Sequence, residues 1–226
     1  MGIGSMIGKQ LAPRLQELAP DKIAGVLREA LSRAINGTGP LPGAAPSAEK
    51  QLAEKNGDVD AGVSEVIELH VRYAGAQGFV TNLGGLVTMA VALPANITGL
   101  AMIQCRMVAG IAHLRGYDLD DPRVRNAILV TMLGEEEVNR LVRKRKLPGP
   151  PMALATAPAH DPDLDRIVSS HVASELITKV AGKRLATTIG RRVPVVGGLV
   201  GLSADAYSTW KVGRYADREL RPRARR

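Results

Sequence analysis

Between Arg72 and Arg106 the chain runs through residues 73–105, 33 in succession, without a formal charge. A run of this length has to leave water, because about 20 apolar residues already suffice to span a bilayer's hydrocarbon core. Its content argues against a simple span. Gln77, Asn82, Asn96 and Gln104 are polar amides, Pro94 divides the run, and glycines at 75, 78, 84, 85 and 99 weaken one continuous helix. The segment reads as a helix to about Phe79, a turn at Gly84 and Gly85, an apolar stretch to Leu93, and a new helix from about Pro94 through Cys105 to Gly116. Three environments are open to it, in this order: two buried helices of a bundle, a membrane-inserted hairpin, and a membrane span.

The flanking sequence is punctuated as helices. Pro20 suits a first helical turn, and Ile23, Val26, Leu27, Ala30, Leu31 and Ala34 recur at helical spacing before Gly37. Residues 37–47 (GTGPLPGAAPS) read as a flexible linker, followed by a short polar helix around Ser47 to Asn56. Asp121-Pro122 is a cap followed by a first-turn proline, and that helix is expected to continue past Gly134 to Arg140–Lys146. A second linker, 147–160, precedes the similar start Asp161-Pro162. Pro194 opens a glycine-rich apolar stretch in which Gly197 and Gly201 form a GxxxG suited to close packing. No useful strand alternation occurs. The expected fold is all-α, a bundle of glycine-rich, small-aliphatic helices with an N-terminal helical appendage. Residues 1–60 form the appendage and linker, 61–217 the main body, and 218–226 a basic tail.

Charge is distributed unevenly. Residues 1–60 carry seven basic and seven acidic side chains and residues 61–139 carry five and eight, whereas residues 140–226 carry eighteen and seven, a net of +11. Clusters at Arg143, Lys144, Arg145 and Lys146, and at Arg191 and Arg192, suit an anionic surface such as phospholipid headgroups. Nucleic acid is disfavoured as the partner. Aromatic residues make up 3% of the chain, too few for a base-stacking platform, and no reading helix or known module is evident. No secretory signal is visible at the N-terminus, so the expected compartment is cytoplasmic.

Catalytic chemistry finds little support. His70, His113, His160 and His171 lie far apart and lack metal-ligand spacing, and the single Cys105 sits in the apolar run, where a thiol is normally inert packing. Asp118, Asp120 and Asp121 suit a cation site or an acid/base pair, but capping and turn formation account for them with no further assumption. No phosphate-binding glycine loop or nucleophile elbow is present. No catalytic residue, metal or cofactor is expected.

Several of these pieces together are similar to one family. Gln77-Gly78-Phe79, Gly84-Gly85, Leu93-Pro94-Ala95, and Ile111-Ala112 followed by Gly116-Tyr117-Asp118 resemble the core motifs of the EcsC protein family. Gly197-Gly198, Asp205 and Gly213-Arg214-Tyr215-Ala216-Asp217 resemble its closing motif. The resemblance covers about 60 to 217, and Asn96 stands where many relatives carry Asp. It implies a helical protein and, through an operon shared with an ATP-driven transporter, an association with transport or the membrane. It carries over no catalytic residue.

The expected function is therefore that of a non-enzymatic protein docked peripherally on the inner face of the cell membrane, as a lipid-binding or transport-accessory protein. Arg143, Lys144, Arg145, Lys146, Arg191 and Arg192 are the expected contacts to anionic lipid, or to a membrane protein. Gly84, Gly85, Pro94, Gly197 and Gly201 are expected to serve close packing or insertion. The alternative is a protein-interaction or homo-oligomeric module that binds no lipid.

Overall fold

The computed structural model describes residues 20–83, 89–189 and 194–223, and every regular element among them is a helix apart from an isolated bridge between Thr38 and Leu41. The order is α1 (Pro20–Asn36), α2 (Ala44–Glu54), α3 (Val59–Leu83), α4 (Met89–Leu114), α5 (Pro122–Leu133), α6 (Glu135–Arg143), α7 (Pro151–Ala155), α8 (Pro162–Ile189) and α9 (Pro194–Glu219). The all-α expectation holds.

Helix α4 is the axis of the bundle. It packs against α1, α2, α3, α5, α8 and α9. Cys105, Met107, Val108, Ala109, Ile111 and Ala112 cover one broad side of it and are all fully buried, whereas Arg106 and His113 stand on the remaining, partly exposed side. So wide an apolar stripe is stable only when other helices cover it, and six neighbours do so for α4. Among the described residues, no helix is long and apolar enough to cross a membrane.

Helices α3 and α4 form an antiparallel pair, fixed where Gly99 meets Gln77 and where Gly110 meets Val66 and Ala48. Helix α9 returns antiparallel to α3, with Gly213 against Ile67 and Met107. Helix α8 lies against α1 and α5. Leu27, Ala30, Leu31 and Ala34 of α1 are buried in the same core as α4.

Local expectations needed adjustment in four places. Of the 37–47 segment, 37–43 is an ordered turn and the rest is the start of α2: Gly37 takes a φ of +87°, open to glycine at no steric cost, and Thr38 and Leu41 exchange backbone hydrogen bonds. The helix expected from Pro94 begins five residues earlier, at Met89. Gly134, at φ +82°, ends α5 and opens α6, so the helix does not continue through it. Residues 147–160 include the short helix α7 and bury Leu147, Pro151, Leu154 and Ala155. Gly84, Gly85, Arg191 and Arg192 lie outside the described residues. Pro94 stands within α4, and Gly197 and Gly201 within the first turns of α9.

Candidate functional site

The exposed basic turn follows α6. Helix α6 places Glu135, Glu136 and Glu137 in its first turn and Arg140 and Arg143 in its last, the arrangement its dipole favours. Val138 and Leu141 anchor it to the core. The chain then leaves the helix through a Schellman closure: the Lys146 amide donates to the Leu141 carbonyl at 2.9 Å and the Arg145 amide to the Val142 carbonyl at 2.9 Å. This closure demands a left-handed residue, normally glycine, and Arg145 occupies it at φ 54°. A side chain there costs about 1 kcal/mol relative to glycine. Arg143, Lys144, Arg145 and Lys146 are all exposed, and none forms an ion pair among the described residues. Neighbouring cations behave differently. Arg140 folds back on Glu137, Arg125 on Asp120 and Arg72 on Glu68.

A second feature is a cleft of about 690 Å³ between the α4–α5 loop and α7, lined by Tyr117, Asp118, Asp121, Arg123, Thr156 and Arg223. Its carboxylates are occupied by local structure. Asp121 caps α5, accepting from the Arg123 amide at 2.8 Å, and its two oxygens also bind the Arg123 guanidinium. Those hydrogen bonds hold the Asp121 carboxyl below its ordinary range, which makes it a poor proton acceptor near neutral pH. Asp118 accepts from the Asp120 amide at 2.9 Å and orders the turn. The capping account of this acidic group fits the geometry.

Beside the cleft lies a junction absent from the sequence reading. Arg115, 8% exposed, donates to Asp60 at the start of α3 and to Asp217 near the end of α9, both at 2.6 Å. Burial opposes its charge, but the two carboxylates prevail and raise the guanidinium pKa. The Arg115 carbonyl also accepts from the Arg223 amide at 2.8 Å, tying down the chain after α9. One side chain thus joins α3, α4 and α9.

The histidines stay apart. His70 is buried in α3, its Nδ1 hydrogen-bonded to the Val66 carbonyl at 2.7 Å, and burial depresses its pKa to about 4. His113 meets Glu49 at 2.7 Å and His160 meets Asp165 at 3.4 Å. Among the described residues no three His, Cys, Asp or Glu side chains group closely enough to hold a metal ion. Cys105 is fully buried, its Sγ 3.3 Å from Met132 Sδ, and burial pushes its thiol pKa up to about 12. No thiolate nucleophile is available there.

Close packing is visible at glycines other than those singled out from the sequence. A Cβ on Gly213 would lie 2.9 Å from Ile67 Cγ2, and one on Gly99 would collide with the Gln77 side-chain amide. At Gly62 and Gly110 the neighbouring helices approach to 3.3 and 3.4 Å of such a position. Spacing alone could not distinguish these four from the other glycines, because the approaching atoms come from distant segments.

The class of protein is thus an all-α bundle wrapped around one apolar helix, with a cation-rich turn on its surface. The EcsC protein family model matches residues 3–224, and the chain belongs to that family. The match takes in the first sixty residues, beyond the 60–217 span on which the resemblance rested. No curated protein and no solved structure is detectably similar to the chain.

Proposed function

We propose that this EcsC-family protein works at an anionic membrane surface, docking peripherally through Arg143, Lys144, Arg145 and Lys146, as a lipid-binding or transport-accessory protein. The supporting observation is the turn itself: four consecutive exposed cations without ion pairs among the described residues, one of them in a backbone position where glycine would be more stable. A strained cation in place of glycine is a feature that folding alone does not reward. Each basic side chain beside an anionic leaflet contributes about 1 kcal/mol, so four give a reversible attachment.

Co-sedimentation with vesicles of phosphatidylcholine and phosphatidylglycerol tests it. Binding is expected to the mixed vesicles and not to pure phosphatidylcholine, and to be lost when Arg143, Lys144, Arg145 and Lys146 are all changed to Gln. Equal binding by that variant, or none by the native chain, would overturn the reading. In the latter case, concentration-dependent self-association without lipid would favour the interaction-module alternative.

A further inference from the structure

The cleft between the α4–α5 loop and α7 holds polar groups that local structure leaves unmatched. Tyr117, which lines it, is 5% exposed, and its hydroxyl has no hydrogen-bond partner. A buried donor of this kind normally finds an acceptor, because leaving the bond unmade is costly. Burial is the main influence on the phenol and raises its pKa, so the group stays protonated and offers its hydrogen. Arg223 lines the same cleft, its Cζ 5.7 Å from the centroid of the Tyr117 ring. Its backbone amide is fixed on the Arg115 carbonyl, while its guanidinium forms no ion pair among the described residues.

Acceptors face these donors across the cleft. Asp118 takes the Asp120 amide on Oδ1 and forms no ion pair among the described residues. His113 meets Glu49 through Nε2. A carboxylate can only accept, so Nε2 carries the ring proton and Nδ1 is left as an acceptor. The remaining charges of the lining, Asp121 and Arg123, bind each other. Once that internal pair is set aside, the cleft retains one guanidinium and one carboxylate that do not meet, with a phenol donor and an imidazole acceptor.

This set discriminates between ligand classes. A simple anion would be opposed by Asp118, and a simple cation by Arg223. A molecule with both charges satisfies both side chains. The volume of about 690 Å³ falls within the range of about 300–1,000 Å³ usual for small-molecule sites. Its walls come from the end of α4, the following loop, the start of α5, the end of α7 and the chain after α9, so the site exists only in the folded protein.

We propose that the cleft binds a small zwitterion, with its oxyanion on Arg223 and the Tyr117 hydroxyl and its ammonium on Asp118 and His113 Nδ1. The shared chemistry is that of an amino acid or of phosphoethanolamine, the latter either free or as a lipid headgroup. The inference uses none of the residues 143–146 and stands apart from the docking reading.

Calorimetric titration of the full chain with alanine and with phosphoethanolamine tests it, with glycerol 3-phosphate and ethanolamine as single-charge controls. Saturable binding of one zwitterion per chain is expected, at least about tenfold tighter than either control, the worth of one charge-assisted hydrogen bond. Asp118→Asn should abolish the preference over glycerol 3-phosphate, and Arg223→Gln the preference over ethanolamine. Tyr117→Phe gives a readout that a merely structural hydroxyl would not: affinity falls about tenfold while the thermal midpoint of the free protein rises, since an unmatched buried donor is gone. Binding of neither zwitterion, unchanged affinity in the variants, or a lower midpoint for free Tyr117→Phe would overturn the proposal. Competition with phosphatidylcholine vesicles, with and without phosphatidylethanolamine, separates the sources of bound phosphoethanolamine. Displacement by the phosphatidylethanolamine vesicles alone supports the site with a headgroup as its ligand, and no displacement supports it with the free molecule.

Discussion

Two arginine-rich places in this molecule are treated in opposite ways. At the junction of α3, α4 and α9, Arg115 is buried and bound by two carboxylates from segments distant in sequence. At the end of α6, Arg143 to Lys146 are exposed and carry no ion pair among the described residues. The first spends its charge inside the protein, holding three helices in register. The second keeps its charge available to something outside. Basic composition says nothing of this difference, since only the placement of counter-charges decides whether a cation is structural or free.

The comparison can be broken or sharpened by experiment. Neutralising Arg143, Lys144, Arg145 and Lys146 together removes about 4 kcal/mol of attraction to an anionic bilayer, roughly a thousandfold in affinity, with an unchanged thermal midpoint. Vesicle titration alongside calorimetry checks both halves, and a large fall in melting temperature would erase the contrast. Arg115→Met is expected to do the reverse, costing about 3 kcal/mol of stability by leaving Asp217 without its buried partner. Asp60 is largely exposed and adds little to that cost. Denaturant unfolding reads the loss, while vesicle binding by the folded fraction should stay native.

Acid acts on the buried interior and not on the turn. His70 is neutral in the folded state, with a pKa lowered from 6.5 to about 4 by burial. The unfolded chain therefore takes up the proton first. Stability from this group is complete above about pH 6.5 and falls as pH drops toward 4, by about 2 kcal/mol at pH 5. His70→Gln should flatten that part of the pH–stability profile. If the profile of the variant parallels the native one, the loss belongs to other groups. The smallest effect expected is also the most pointed. Arg145→Gly relieves the left-handed backbone and should raise stability by about 1 kcal/mol while weakening vesicle binding by about one charge. A variant that loses stability would show that Arg145 holds the turn together.

Much of the fold is legible locally. Asp121-Pro122, Pro20 and Pro162 start helices where caps and first-turn prolines should, and Gly37 ends one. The helical periodicity and the absence of strand alternation give the fold class directly. The site is less legible. The basic run at 143–146 stands out in the sequence, but its freedom from counter-ions depends on where carboxylates of other helices lie. The Arg115 junction left no local signal, because Asp60 is 55 residues before it and Asp217 is 102 after it. The same holds for Gly213, which is needed only because Ile67 and Met107 arrive there. Gly134 broke a helix that periodicity would have continued: it takes φ +82°, a conformation that glycine enters without steric cost.

The sequence by itself determined that this chain is helical, that residues 73–105 must leave water, and that the last third is basic. Those properties follow from side-chain chemistry and spacing along one segment. Tertiary structure alone decided that α4 is wrapped by six other helices, and that Arg115 is consumed while Arg143–Lys146 carry no ion pair among the described residues. Each depends on which segments meet, and helix packing sets those meetings through contacts that no local pattern encodes.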